Sequence, residues 1–161
     1  MTQMTENIRV YTTKDFEALN WHDCKIYGLA FDDVSFKFYL DIDLIIEWIN
    51  PIGKDGGYKY KIAPATLVFE NVWNLVFDID TNLLLNIDDV SMQNPHSPKN
   101  KDYIPEIVEY DWVISLLQGE ISFKSIGYEI YIRKSPEIRQ EQNLGLEERG
   151  GVSFSTKILA I

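Results

Sequence analysis

Val34-Ser-Phe-Lys-Phe-Tyr-Leu-Asp-Ile-Asp-Leu44 is the stretch on which the fold turns. Val34, Phe36, Phe38, Leu40, Ile42 and Leu44 alternate with Ser35, Lys37, Tyr39, Asp41 and Asp43. A period of two belongs to a strand, whose successive side chains point to opposite faces. The pattern predicts one long strand with an oily face in a core and a polar face in water. Ile45, Glu47 and Ile49 carry on the polar parity.

The flanking sequence extends this into a meander. Pro51-Ile-Gly-Lys-Asp-Gly-Gly57 has the composition of a hairpin loop, and Tyr58-Lys-Tyr-Lys-Ile62 reads as its return strand. A turn centred near Lys54 and Asp55 puts Glu47 opposite Lys61. Upstream, residues 25–31 read as a strand ended by an Asp32-Asp33 turn. Residues 12–19 read as a short helix, with Thr12 as cap and acids in the first turn.

Downstream, Ala63-Pro64-Ala65 reads as a break. Strands are predicted over 66–70, 74–80 and 82–90, with Leu75, Phe77 and Ile79 on one side of the second and Leu83, Leu85 and Ile87 on one side of the third. Residues 91–106 lack periodicity and read as a polar loop that leaves His96 solvated. Residues 108–117 and 120–126 form a hairpin through Gln118-Gly119. A strand follows over 128–133. Ser135-Pro136-Glu137 is a helix-start signature, and residues 152–155 read as a closing strand. Many short strands at hairpin spacing, with two short helices, predict one mainly β domain over residues 1–161. Its architecture is an antiparallel β-sandwich or open barrel.

Charge narrows the partners. The chain has 25 acids against 15 Lys and Arg, a net charge of −10. Such a surface is repelled by phosphate backbones, so nucleic acid is not expected as a partner; the charge either serves solubility or steers in a basic protein partner. No oily run approaches the ~20 residues of a spanning helix, so no membrane partner is expected. A single cysteine, Cys24, and no secretory-type N-terminus point to a reducing, cytoplasmic setting.

Three sets of side chains are site candidates. The first is Trp21-His22-Asp23-Cys24, which holds the most reactive groups. A His beside an Asp suits general-base or metal chemistry, but neighbours on an extended segment point apart and need a turn to meet. Hydrogen bonding to backbone at the entry to the first strand is the simpler account of them, and Cys24 reads as a small buried hydrophobe. The second set is the strand acids, Asp41 with Asp43 and Asp78 with Asp80, joined by Glu47. Glu70, near the end of an oily strand, is a weaker candidate. Paired carboxylates can bind a cation or do acid–base work, and a wet sheet face explains them as well. The third set, Trp48, Trp73 and Trp112, would line a pocket or fill the core. No HExxH, CxxC, GxSxG or phosphate-loop pattern is present, and neither a cofactor nor a metal is expected.

Three segments carry a likeness. They are Leu19-Asn-Trp-His-Asp-Cys-Lys-Ile-Tyr-Gly-Leu, Ala63-Pro-Ala-Thr-Leu-Val-Phe-Glu-Asn-Val-Trp-Asn-Leu and Leu146-Glu-Glu-Arg-Gly-Gly-Val-Ser-Phe. Together they resemble a group of uncharacterised bacterial β-rich proteins. The His-Asp opener and the Thr-Leu-x-Phe segment are also similar to small immunity proteins of bacterial toxin systems. That second likeness implies a non-enzymatic protein that binds and blocks a toxin, and it supplies no catalytic residues.

Two functions follow as expectations. One is a non-enzymatic binding module of the immunity type, holding a basic partner on an acidic face of Asp41, Asp43, Glu47, Asp78 and Asp80, with exposed aromatics as anchors. The other is a small-ligand or metal binder, or an enzyme, with a pocket around His22, Asp23 and the strand carboxylates.

Overall fold

Ten strands follow the chain in a computed structural model that describes residues 10–53, 56–80, 82, 84–100, 102 and 107–158. They are β1 (Val10–Thr12), β2 (Ile26–Asp32), β3 (Lys37–Ile49), β4 (Lys59–Glu70), β5 (Trp73–Ile79), β6 (Ile87–His96), β7 (Glu109–Leu116), β8 (Gly119–Ser125), β9 (Gly127–Ile132) and β10 (Glu137–Arg139). The first sheet runs β1-β9-β4-β3-β2, with β10 also paired to β4. The second runs β5-β8-β7-β6. Every pairing is antiparallel, and among the described residues neither sheet closes into a barrel. No helix among the described residues is long and apolar enough to cross a membrane.

The even-numbered side chains of β3 make the core as the alternation requires. Phe38, Leu40, Ile42 and Leu44 are fully buried. Phe38 and Phe69 of the first sheet meet Phe123 of the second at ring distances of 5.5 and 4.6 Å. Trp112 packs edge-on against Phe69 at 5.0 Å and donates its indole N–H to the Ser125 carbonyl at 2.9 Å. One buried cluster spans both sheets, which makes the architecture a β-sandwich. The predicted register holds as well, since Glu47 lies opposite Lys61.

Several expectations change. The strand begins at Lys37, because Asp32 closes a turn by accepting from the Val34 and Ser35 amides, and Phe36 takes φ 56°. Val34 is therefore 85% exposed instead of buried. A bulge between Ile45 and Glu47 breaks the polar parity and buries Ile45. The short helix at 13–18 is present as a 3-10 turn with a complete Thr12–Asp15 capping box.

Ala63-Pro64-Ala65 does not break the chain, and β4 runs straight through it. The Pro64 carbonyl accepts from Arg133 N–H at 2.9 Å, so the Pro64 nitrogen faces the same side. There β9 has just ended and β10 has not begun, so no ladder bond is lost. The helix expected at Ser135-Pro136-Glu137 is instead β10, because the exposed edge of β4 at Tyr60–Ile62 offers it a ladder. Part of the expected polar loop is strand, since β6 extends to His96. Residues 152–155 form no strand. The turn centre at Lys54 and Asp55, together with Leu83 and residues 101 and 103–106, lies outside the described residues.

Candidate functional site

The polar face of β3 is where the sequence expects water, and the structure puts an ion-pair cluster there. Asp41 and Asp43 are 0% exposed, and Arg149 lies over them, also with a fully buried side chain. The guanidinium donates to both Asp41 oxygens at 2.7 Å, to Asp43 Oδ1 at 3.0 Å and to the Ile42 carbonyl at 2.8 Å. It also stacks on the Tyr27 ring at 3.9 Å. Arg133 adds a second cation, 2.8 Å from Asp41 Oδ1. Backbone completes the set: Leu144 N–H donates to Asp43 at 2.7 Å and Ser153 N–H to Asp41 at 2.9 Å. The Tyr27 hydroxyl donates to Asp43 Oδ2 at 2.7 Å, and burial followed by that bond raises its pKa.

Such a fully bonded arrangement is how paired charges persist away from water. It fastens the segment after β10 across the outer face of the first sheet. Val152 and Phe154 lie so close over Gly28 that a Cβ there would fall 2.8 Å from Val152 Cγ1. Asp41 and Asp43 are thus a clasp, not an open binding face, which corrects their expected role.

His22 and Asp23 do meet. A turn with Asp23 at φ 69° supplies what an extended segment lacks, and His22 Nε2 lies 3.5 Å from Asp23 Oδ2. His22 Nδ1 sits 3.4 Å from Asp88 Oδ1 and 3.2 Å from the Asp88 carbonyl, while the ring stacks on Trp48 at 6.2 Å. Asp23 is held in turn by Gln142, whose side-chain amide donates at 2.8 Å. Among the described residues, Asp23 and Asp88 are the carboxylates within 4 Å of His22, so the strand acids Asp41 and Asp43 do not join it. Trp21 is core: it is buried and packs edge-on against Tyr128 at 5.4 Å, which removes it as a surface binder. Cys24 is buried too, its thiol pushed up to about 12 chiefly by desolvation. Among the described residues no three His, Cys, Asp or Glu side chains are arranged to hold a metal.

The three tryptophans part company. Trp112 is core, Trp48 joins Tyr58 and Tyr60 beyond the β3 bulge, and Trp73 stacks on Phe36 at 4.7 Å. His96 is not solvated freely. Its Nδ1 lies 2.6 Å from the Asn94 carbonyl and its Nε2 2.7 Å from Glu109 Oε2. Both partners are acceptors, so the pair is satisfied when both ring nitrogens carry protons. The Asn94 carbonyl and then the Glu109 carboxylate raise the His96 pKa above 6.5.

Asp78 and Asp80 are exposed, on the outer face of the second sheet. That face is the opposite side of the molecule from the clasp, so the two predicted acid pairs cannot converge. Glu47 is exposed at the far end of β3. Register brings new partners to Asp78 that its own segment did not announce. Asp78 stands opposite Glu120, Glu120 opposite Ser115, and Ser115 opposite Asp89. A row of acids therefore crosses the sheet from β5 to β6, with no cation within 4 Å of Asp78, Glu120 or Asp89 among the described residues. Beside it lies a shallow depression of about 300 Å³ walled by Val76, Val113 and Ser122. The Gln118-Gly119 hairpin could place Glu120 across from β7, but Asp89 depends on β6–β7 pairing across a long connection. Comparison of the chain with family models, curated proteins and solved structures finds no match.

Proposed function

We propose that the chain is a non-enzymatic binding module that holds a basic protein partner on the open face of its second sheet. The carrying observation is the uncompensated row Asp78–Glu120–Asp89 on that face. Like charges directly opposite one another on a sheet cost stability. A partner presenting Lys or Arg removes that cost and is steered in by the same field. The other outer face is crossed by the clasped segment, which takes up its paired acids. Inhibition of a bacterial toxin by occlusion is the form of this activity that the likeness to immunity proteins supports.

The test uses the full chain immobilised in a bacterial lysate at low and high salt, beside the triple variant Asp78→Lys, Asp89→Lys, Glu120→Lys. The expected result is a basic protein retained at low salt by the wild-type chain and lost by the variant. A partner kept equally well by both chains would refute the acidic-row reading.

A further inference from the structure

We infer that the free edge of β5 is a strand-addition site for an extended partner segment that alternates basic and apolar residues. This rests on the binding-module reading and names the element that does the binding. A sheet edge offers unpaired N–H and C=O groups, and proteins usually guard such edges with short strands, prolines, bulges or covering segments. Other edges here carry such guards over at least part of their length. β1 is three residues long. β2 is covered at its start, where Ile26 N–H donates to the Leu85 carbonyl and Lys25 bridges to Asn86, and its register shifts between Ile26 and Gly28. β6 carries Pro95, Asn94 at φ 56° and a register break between Gln93 and His96.

β5 has Asn74 at φ 54° and a register shift between Trp73 and Val76, but among the described residues it carries none of these guards from Val76 to Ile79. Its pairing with β8 is continuous there, and Val76 and Phe77 are 55% and 48% exposed. The ladder fixes which backbone groups are free. Asp80 N–H donates to the Gln118 carbonyl at 3.0 Å, so by alternation Asp78 and Val76 also turn toward β8. Phe77 and Ile79 then direct their N–H and C=O groups outward. Two residues in alternate positions are what an added strand needs.

Charge selects the occupant. A residue added opposite Asp78 extends the row that already holds Glu120, and a cation there neutralises both. Asp80 repeats the demand two residues on. The intervening positions of the added strand lie on the inner face, beside the exposed part of Phe77 and beside Ile79, and favour apolar side chains. A second copy of this chain fits poorly, because it brings its own net charge of −10 to the same place.

The probe is a synthetic peptide of alternating Lys and Val matching the seven residues of β5, titrated into the isotopically labelled full chain. The expected result is a shift and slowed hydrogen exchange at the Phe77 and Ile79 amides, with no response to the alternating Glu and Val peptide. Ile79→Pro removes an outward N–H without touching the β8 ladder. It should weaken binding about tenfold, the scale of one well-made hydrogen bond with its neighbour disturbed. If that variant misfolds, the Lys–Val peptide N-methylated on its pairing residues makes the same test with its charge intact.

Binding that survives both changes but disappears with the lysine triple variant would place the segment on the sheet face. The edge would then be overturned and the binding module kept. No response from the wild-type chain to the Lys–Val peptide would overturn the edge alone, because partner capture is measured separately. Self-association abolished by Ile79→Pro would make a second copy the occupant and overturn the basic segment.

Discussion

Arg149→Met should be among the most damaging single changes in the chain. The residue is a buried cation held by two buried carboxylates, and its removal leaves those carboxylates behind. Breaking a buried pair from one side costs about 3–5 kcal/mol, mostly as the charge left uncompensated. The contacts that remain decide where in that range the cost falls. Asp41 keeps Arg133 and the Ser153 amide, and Asp43 keeps the Tyr27 hydroxyl and the Leu144 amide. Each carboxylate thus retains two donors, but Asp43 loses the cation it shares. Methionine refills the aliphatic stem, though not the guanidinium that stacks on Tyr27, so lost packing adds a modest further cost. The expected loss is about 3 kcal/mol, near the lower limit.

Urea unfolding followed by tryptophan fluorescence reads this directly. At slopes of about 1–3 kcal/mol per molar, the midpoint should fall by roughly 1–3 M. Arg149→Lys keeps the charge but loses the fork that grips both carboxylates, and should fall between the two. Adding Asp43→Asn to Arg149→Met should restore about 1 kcal/mol, because the orphaned charge is then gone. Hydrogen exchange should quicken over residues 144–153 in Arg149→Met, where the segment is no longer clasped. A midpoint unchanged within error, or a double variant weaker than the single, would refute the claim that the cluster is held by charge.

Other consequences are smaller in scope. His96 should titrate above 6.5 by NMR, and Glu109→Gln should lower its midpoint; a wild-type value at or below 6.5 contradicts the paired imidazolium. Because the folded pKa is raised, the stabilisation from this pair is complete below the unfolded value and is lost as pH climbs through the folded one. Cys24 should resist thiol reagents in the native chain at mildly alkaline pH and react fully in urea, since burial holds its proton to about 12. Fast native-state labelling would mean that the thiol is accessible. Gly119→Ala should destabilise by more than about 1 kcal/mol, since φ there is 124° and a Cβ would lie 2.1 Å from the Asp78 carbonyl oxygen. An unchanged melting temperature would show that the β7–β8 turn relaxes.

What could be read in advance follows the range of the forces. Two-residue alternation is local, and it located β3, the β3–β4 register and the β7–β8 hairpin. Pro64 misled because whether a strand tolerates proline depends on where a neighbouring strand ends, which is not local. Ser135-Pro136-Glu137 misled for the same reason: a helix-start signature gave way to a vacant ladder on β4. The same limit separates the site residues. Asp41 and Asp43 carry an identical pattern to Asp78 and Asp80, an acid at alternate positions of a strand. Their fates differ because Arg149, more than a hundred residues away, returns to one pair and to neither member of the other. No spacing rule reports that return.

That difference bears on where a partner can act. A carboxylate on a sheet face is stable in water alone, in a protein cluster with its own cations, or against cations supplied from outside. The chain adopts the second solution on β3, with Arg133 and Arg149 against Asp41 and Asp43, and the charges balance. On β5, β8 and β6 it adopts the first, and Lys124 is already committed to Asp111 at 2.6 Å. Since Asp78, Glu120 and Asp89 have no cation within 4 Å among the described residues, the second sheet can gain from an external one. A single Glu120→Lys substitution in that row should therefore stabilise the isolated chain while weakening a basic partner. Substitutions at Asp41 or Asp43 should do the reverse, damaging the fold first and any binding only through it. Measuring melting temperature and partner retention on the same variants separates the two faces. A Glu120→Lys variant less stable than the wild-type chain would show that the acids of the row are already satisfied, and would leave no gain for a partner to supply.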